Sequence, residues 1–152
     1  MIIETEVGPI SLGYIDGNLF CEFGKHVTEK EPTNKLAKQF VNYFDGKKIS
    51  SFDAPIPNGS DFAKNCWKAC REIPYGTTVS YKELAKRVGS PKAARAAGQA
   101  MRRNPLAIIT PCHRIISATG KLHGYSGSTS LKSAALKQKQ YLLDLEKGIM
   151  KS

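Results

Sequence analysis

The amino-acid sequence predicts an α/β protein in two parts: a small N-terminal α/β domain over residues 1–58, and a mainly helical domain over residues 59–152 that carries a helix-turn-helix. Three observations predict it. Two short runs of alternating apolar residues flank Asp16-Gly17-Asn18 near the start. A stretch rich in proline and glycine, Lys47 to Gly59, interrupts the chain. Beyond it, successive segments carry apolar residues at helical spacing.

Ile10 to Ile15 and Leu19 to Phe23 alternate as strands do. Asp16-Gly17-Asn18 between them is a hairpin signal, because these residues tolerate the positive φ of a tight turn. From about Asn34 the period changes: Leu36, Phe40, Val41 and Phe44 fall on one helical face, and Gly46 is placed to end the helix. Lys47 to Gly59, with Pro55, Pro57 and Asn58, has loop composition and marks the domain boundary. Asp61 starts a second helix that buries Phe62, Cys66, Trp67, Cys70 and Ile73. Pro74 stops it, since proline lacks the N–H and clashes with the preceding turn. Ser80 opens another helix with Glu83 three residues on, the pattern in which each side chain satisfies a free backbone N–H of the other. Leu84, Ala85 and Val88 form its inner face and Gly89 ends it. Ser90 and Pro91 then act as cap and first position of a helix that runs to about Arg103. Two helices joined by a turn of about two or three residues make a helix-turn-helix; a plain helical hairpin inside a core has the same topology.

The 152 residues are 41% hydrophobic and 24% charged, which excludes wholesale disorder. A formal charge of +10 points to an anionic partner. Nucleic acid comes first, because no basic amphipathic segment is built to lie on a membrane; a merely soluble basic protein has the same composition. Residues 1–10 show no basic leader followed by an apolar run, and the longest apolar stretch, Leu106 to Ile109, is far too short to span a bilayer. The expectation is a cytoplasmic protein, or a nuclear one in a eukaryote. Four cysteines without framework spacing fit a reducing compartment, where free thiols persist.

The helix after the turn has two chemistries. Ala94, Ala97, Gly98 and Met101 lie on one face, small enough for close approach to a support; Arg95, Gln99, Arg102 and Arg103 lie on another. From Lys82 to Arg103 seven basic residues accompany one acidic residue, Glu83, a local excess beyond the chain average. Neutralising phosphates with such side chains makes binding salt-dependent. A solvated charged face is the alternative reading.

Ile108 to Ile116 contains the candidate nucleophile. Pro111 restricts the backbone before Cys112, and His113 follows. A thiolate, not a thiol, is the nucleophile, so a base or cation must lie near it. Adjacency alone does not supply one, since neighbouring side chains on a strand diverge; a turn or an intervening water is required. A buried structural thiol is the commoner case.

Pro111-Cys112-His113-Arg114 resembles the active-site tetrapeptide of the O6-alkylguanine-DNA alkyltransferases. Three further blocks resemble the same family in order: Ile73-Pro74-Tyr75-Gly76 with Val79-Ser80-Tyr81, then Arg95 to Pro105, then Gly124-Tyr125-Ser126-Gly127. Lys139, Leu142, Leu143 and Glu146 resemble its last helix. The resemblance covers most of Asp61 to Glu146. It implies a ribonuclease-H-like N-terminal domain and a winged-helix-like setting for the helix-turn-helix. It also implies single-turnover repair of double-stranded DNA containing alkylated guanine, by a monomer without a cofactor or metal. O4-alkylthymine is a second candidate substrate. Cys112, His113, Glu146 and Tyr81 become the candidate catalytic residues. Arg95, Tyr81, Ser80, Gln99, Arg102 and Arg103 become the candidate DNA-binding residues, with Arg95 entering the base stack as Tyr81 displaces the phosphate. Met101, Ile115, Tyr125, Ser126 and Asn104 become the candidate substrate pocket, with the carbonyls of Cys112 and Ile115 accepting from the purine amine and Asn104 bracing the turn before the cysteine strand.

Departures from the family pattern fall at Thr110, where an aliphatic residue is usual and little effect is expected. Others are Ala107, where some members have proline, and His123, where many have glycine. About seven extra residues lie between Gly127 and Lys139, and the placement of Glu146 depends on them. Cys21, His26, Cys66 and Cys70 lack the spacing of a zinc site. Three alternatives bear on function. A lesion sensor of this family lacks the cysteine that stands here at 112. A helix-turn-helix regulator needs a dimer surface. A Cys-His hydrolase needs no basic helix.

Overall fold

Asp16 and Gly17 close a tight hairpin with φ of 51° and 77°, the left-handed pair that a two-residue type I′ turn requires. In the computed structural model, which describes residues 1–117 and 134–148, they join β2 (Gly8–Ile15) to β3 (Asn18–Phe23) in antiparallel register, Ile15 opposite Asn18. A strand that the alternation did not announce, β1 (Ile2–Thr5), adds to the other side of β2, with Ile3 opposite Ile10. Its apolar residues are only partly buried, Ile2 being 47% exposed, so pairing rather than a buried face holds it. The order is β1-β2-β3. The free edge of β3 takes up a later segment: Cys21 N–H donates to the Pro105 carbonyl at 2.9 Å and the Cys21 carbonyl accepts from Ala107 N–H at 3.0 Å. The sheet thereby holds the chain that leads to Cys112.

Helix α1 (Asn34–Phe44) begins at Thr33, whose hydroxyl accepts from Leu36 N–H at 3.2 Å. Its buried stripe is Leu36, Phe40, Tyr43 and Phe44, while Val41, expected inside, is 45% exposed. Tyr43 takes the inward place because its hydroxyl has a buried partner, described below. Helix α2 (Asp61–Arg71) starts at Ser60 and stops three residues short of Pro74, and Phe62 is only half-buried while Ala63 is buried.

The helix-turn-helix is present with a longer turn than the sequence implied. Helix α3 (Tyr81–Arg87) follows β4 (Val79–Ser80), a two-residue strand parallel to β5 (Ile115–Ile116). Ser80 caps α3 by accepting from Glu83 N–H at 3.0 Å, but the Glu83 carboxylate turns forward to Arg87 Nε at 3.3 Å instead of back to the cap. Gly89, at φ 80°, ends α3: its N–H reaches the Lys86 carbonyl and Ser90 N–H reaches that of Ala85, the paired bonds of a left-handed helix end. Ser90 and Pro91 do not start the next helix. The Ser90 carbonyl accepts from Ala93 N–H at 2.9 Å, so they form a turn, and α4 (Ala94–Arg102) follows without a side-chain cap. A proline's fixed φ suits the second position of a turn as well as the first position of a helix, and local sequence does not separate the two. Helix α5 (Ala134–Glu146) completes five α-helices among the described residues.

Two apolar cores result. The first joins Ile10, Leu12, Phe40 and Tyr43 to Leu106, Ile108 and Ile109 and to Leu142 and Leu145 of α5; the second gathers Cys66, Trp67, Cys70, Leu84, Ala97, Met101, Ile115 and Leu136 around Cys112. Each large side chain buried in them contributes roughly 1.5–3 kcal/mol. Helix α5 contributes to both cores, which places its polar residues between them. Among the described residues no helix is long and apolar enough to cross a membrane.

Candidate active site and nucleic-acid interface

The segment between α4 and the cysteine is a tight, braced loop. Asn104 Nδ2 donates to the Thr110 carbonyl at 3.0 Å and to that of Leu106 at 3.3 Å, while its Oδ1 accepts from Leu106 N–H at 3.0 Å. Within the loop Ile108 sits at φ 71°, a costly conformation for a β-branched residue, worth roughly 1–3 kcal/mol of strain. Thr110, expected to be a neutral replacement, is fully buried, and its hydroxyl accepts from Arg71 Nε at 3.0 Å. Arg71 also donates to the carbonyls of Ala54 and Pro55, so this threonine ties the 54–55 segment to the loop.

Cys112 does not lie on a strand. It opens a 3-10 turn, Cys112–Arg114, whose residues project about 120° apart. That spread separates the cysteine, on the cavity wall, from His113 and Arg114, which both reach Glu146. The cysteine is 7% exposed and lines a cavity of about 640 Å³, a size typical of small-molecule sites. Tyr81, Met101, Arg102 and Asn104 line the same cavity from the helix-turn-helix side, and Cys21 and Phe23 from the sheet; Ala107 also borders it.

Behind the cysteine lies a buried polar network. His113 is fully buried and its Nε2 is 2.5 Å from Glu146 Oε2. Among the described residues its Nδ1 has no hydrogen-bond partner. Arg114, 3% exposed, donates from Nε to Glu146 Oε1 at 2.7 Å, from Nη2 to Oε2 at 3.0 Å and from Nη1 to the Ile73 carbonyl at 2.8 Å. Gly76 N–H and the Tyr43 hydroxyl complete the shell of the carboxylate, at 3.1 and 2.5 Å. Burial alone would raise the Glu146 carboxyl, but the hydrogen bonds and charges of His113 and Arg114 outweigh it and hold the group well below the usual carboxylate range. Burial pushes the His113 imidazole down, against the pull of Glu146, so the ring is neutral at neutral pH. Tyr81 is pushed up to about 12 by burial and then by Cys112, and keeps its proton.

Lys139 lies two helical turns before Glu146 on α5 and is fully buried; its Nζ donates to the Ile115 carbonyl at 2.5 Å and stands 6.0 Å from the Tyr81 ring centre. Burial lowers it to about 8, while Cys112 and Cys70 act in the opposite sense. The Ile115 carbonyl therefore already has a donor, as does that of Cys112, which accepts from Ile115 N–H. The Ile115 side chain is buried and does not line the cavity. Each carbonyl retains a second lone pair.

On α4 Arg95, Gln99 and Arg102 are exposed, as is Arg103 at its C-cap, whereas Ala97, Ala100 and Met101 are buried. Ala100, absent from the predicted inner face, gives its carbonyl to Trp67 Nε1 at 2.9 Å. Gly98 faces Tyr81: a Cβ there would lie 3.7 Å from the ring. Ser80 is half-buried with its hydroxyl committed to the α3 cap. Tyr125 and Ser126, with His123, lie outside the described residues. Sequence reasoning missed Tyr43 and Arg71 as parts of the site, and placed Lys139 on the last helix without a role. Tyr43 continues the spacing of Phe40, and Lys139 interrupts the apolar face of α5 between Leu136 and Leu142, which is the signal each carried.

A thiol on a cavity wall, followed in the chain by an imidazole paired with a buried carboxylate, accompanies a helix-turn-helix with an outward basic face. This is the equipment of a cysteine-dependent protein that handles nucleic acid. Residues 61–148 match the family 6-O-methylguanine DNA methyltransferase, DNA binding domain. The methylated-DNA–protein-cysteine methyltransferase of Methanosarcina acetivorans is 43% identical over 148 residues, covering 90% of this chain and 94% of that protein. That of Mycobacterium leprae is 52% identical over 114 residues, covering 74% of this chain and 64% of that protein. The crystal structure of Mycobacterium tuberculosis OGT in complex with DNA superposes with a TM-score of 0.79 at 36% identity, covering 99% of this chain and 94% of that one. The chain belongs to the methylated-DNA–protein-cysteine methyltransferase family.

Proposed function

We propose that this protein repairs DNA by moving the alkyl group of O6-alkylguanine irreversibly onto its own Cys112, once per molecule. The observation that carries the reading is Cys112 on the wall of a cavity bordered by α3 and α4, with the His113–Glu146 pair behind it.

The partner is double-stranded DNA holding an alkylated guanine. Arg102 and Arg103, with Gln99, face the backbone and minor groove; Arg95 enters the stack as the nucleotide swings out, and Tyr81 displaces its phosphate. An alkyl carbon on a stacked base is poorly reached by a side chain, so the base must leave the helix, at a few kcal/mol. Wedge insertion and groove contacts offset that cost. In the cavity the Cys112 proton passes through a water to His113 Nδ1, the ring nitrogen without a protein partner among the described residues. The sulfur attacks the alkyl carbon in line. A carbon–sulfur bond forms, the carbon–oxygen bond breaks, and the electron pair stays on the purine, which Tyr81, still protonated, assists by donating. Glu146 orients the imidazole and balances its charge once formed. Met101 and Asn104 shape the wall, and Ser126 and Tyr125 are assigned to the base on resemblance. The product thioether resists ordinary reductants, hence the single turnover.

In this reading residues 1–58 form a reduced ribonuclease-H-like domain and residues 59–152 a winged-helix-like catalytic domain, acting as a cytoplasmic monomer. DNA carrying a labelled methyl on guanine O6 tests it. One label per protein, on the Cys112 peptide, is expected, and Cys112→Ala loses transfer while retaining DNA binding. More than one turnover per molecule, or label on another residue, would overturn it.

A further inference from the structure

The geometry points to Tyr43, in the N-terminal helix α1, as a positioning residue that keeps His113 in its proton-accepting form by sharing the Glu146 carboxylate. This rests on the reading of Cys112, His113 and Glu146 given above.

The Tyr43 hydroxyl donates to Glu146 Oε2 at 2.5 Å across 103 residues of sequence, with both groups buried. The same oxygen takes His113 Nε2 at 2.5 Å and Arg114 Nη2 at 3.0 Å. Three donors divide the charge of one carboxylate oxygen, so each receives a weaker pull than it would alone. A carboxylate released from Tyr43 would hold the His113 proton harder and favour the imidazolium, which accepts nothing from a thiol. The phenol is fixed where it acts: its ring stands edge-on to Phe44 at 5.3 Å and to Tyr75 at 6.1 Å. It keeps the proton it donates, because burial and the neighbouring Glu146 push its own ionisation well upward.

The other groups on the network come from other elements. Glu146 faces His113 and Arg114 from the 3-10 turn, Gly76 N–H and the Tyr75 ring from the turn after α2, and Tyr43 from α1. His113 faces Glu146 and Lys139 from α5 and Arg114 beside it. Of these, Tyr43 is the one supplied by the N-terminal strands-and-helix region. Among the described residues, that region reaches the network through this hydroxyl, besides walling the cavity.

Tyr43→Phe removes the hydroxyl and keeps the ring. Single-turnover methyl transfer is measured against pH, and the His113 ring is titrated by NMR in the intact protein without DNA. The acid limb of the rate and the His113 titration are expected to move together to higher pH, by roughly half a unit to one unit. The rate on the alkaline plateau should stay within about threefold. Phe40→Leu, which loosens the same helix, should lower the melting temperature and leave both curves in place. Unshifted curves in Tyr43→Phe, or an equal shift in Phe40→Leu, overturn the inference. If the wild-type protein transfers no methyl group, the proposed function fails, while the NMR titration still decides the role of Tyr43.

Discussion

Glu146→Gln keeps the shape of the side chain and removes the charge on which five hydrogen bonds converge. The wild-type carboxylate accepts from Tyr43, His113, Gly76 and twice from Arg114. A carboxamide offers one accepting oxygen, and its NH₂ would face donors already in place. Arg114, 3% exposed, keeps the Ile73 carbonyl but loses its anion. Leaving a buried charge unpaired costs about 3–5 kcal/mol, a large part of the roughly 5–15 kcal/mol that stabilises a domain. Urea unfolding at neutral pH, followed by fluorescence of Trp67, the one tryptophan of the chain, reads the loss. The pH dependence carries the sign. Glu146 titrates lower in the folded than in the unfolded chain, so its contribution is complete above the unfolded value of 4.5 and disappears as pH falls towards the folded one. The gap between wild type and variant should therefore be constant near neutrality and close in acid. A loss under about 1 kcal/mol, the worth of an exposed ion pair, or a gap that does not narrow below pH 4.5, would refute the account of a buried, charge-balanced network.

The remaining expectations concern the loop and the basic face. Thr110→Val keeps the volume but strips Arg71 Nε of its acceptor, and should cost about 1–3 kcal/mol in the same unfolding assay; an unchanged midpoint would mean that the hydroxyl is dispensable. Arg102→Ala and Arg103→Ala should each lower the slope of log affinity for DNA against log salt by about 0.9, measured by fluorescence anisotropy on undamaged duplex. A slope that stays as in the wild type would remove that arginine from the phosphate contacts.

Much of this molecule was set by local chemistry. Asp16-Gly17 dictates its hairpin because only such residues accept two successive positive φ values, and Gly89 ends α3 for the same reason. The stripes of α1 and α2 and the cap at Ser80 follow from spacing and from unpaired backbone N–H groups. The cysteine segment and the basic helix were legible as well, the former through family resemblance more than through physics. Tertiary structure decided the rest. The choice of Tyr43 over Val41 for the core, the burial of Lys139 and the Arg71 partner of Thr110 all depend on groups distant in the chain. So does the turn at Ser90-Pro91, where the local sequence suits either a turn or a helix start and the docking of α4 on Trp67 accompanies the turn. Backbone propensity and periodicity act over a few residues, whereas a buried hydroxyl or charge is placed by whichever partner the packing brings within 3 Å, and that partner leaves no mark in the neighbouring sequence.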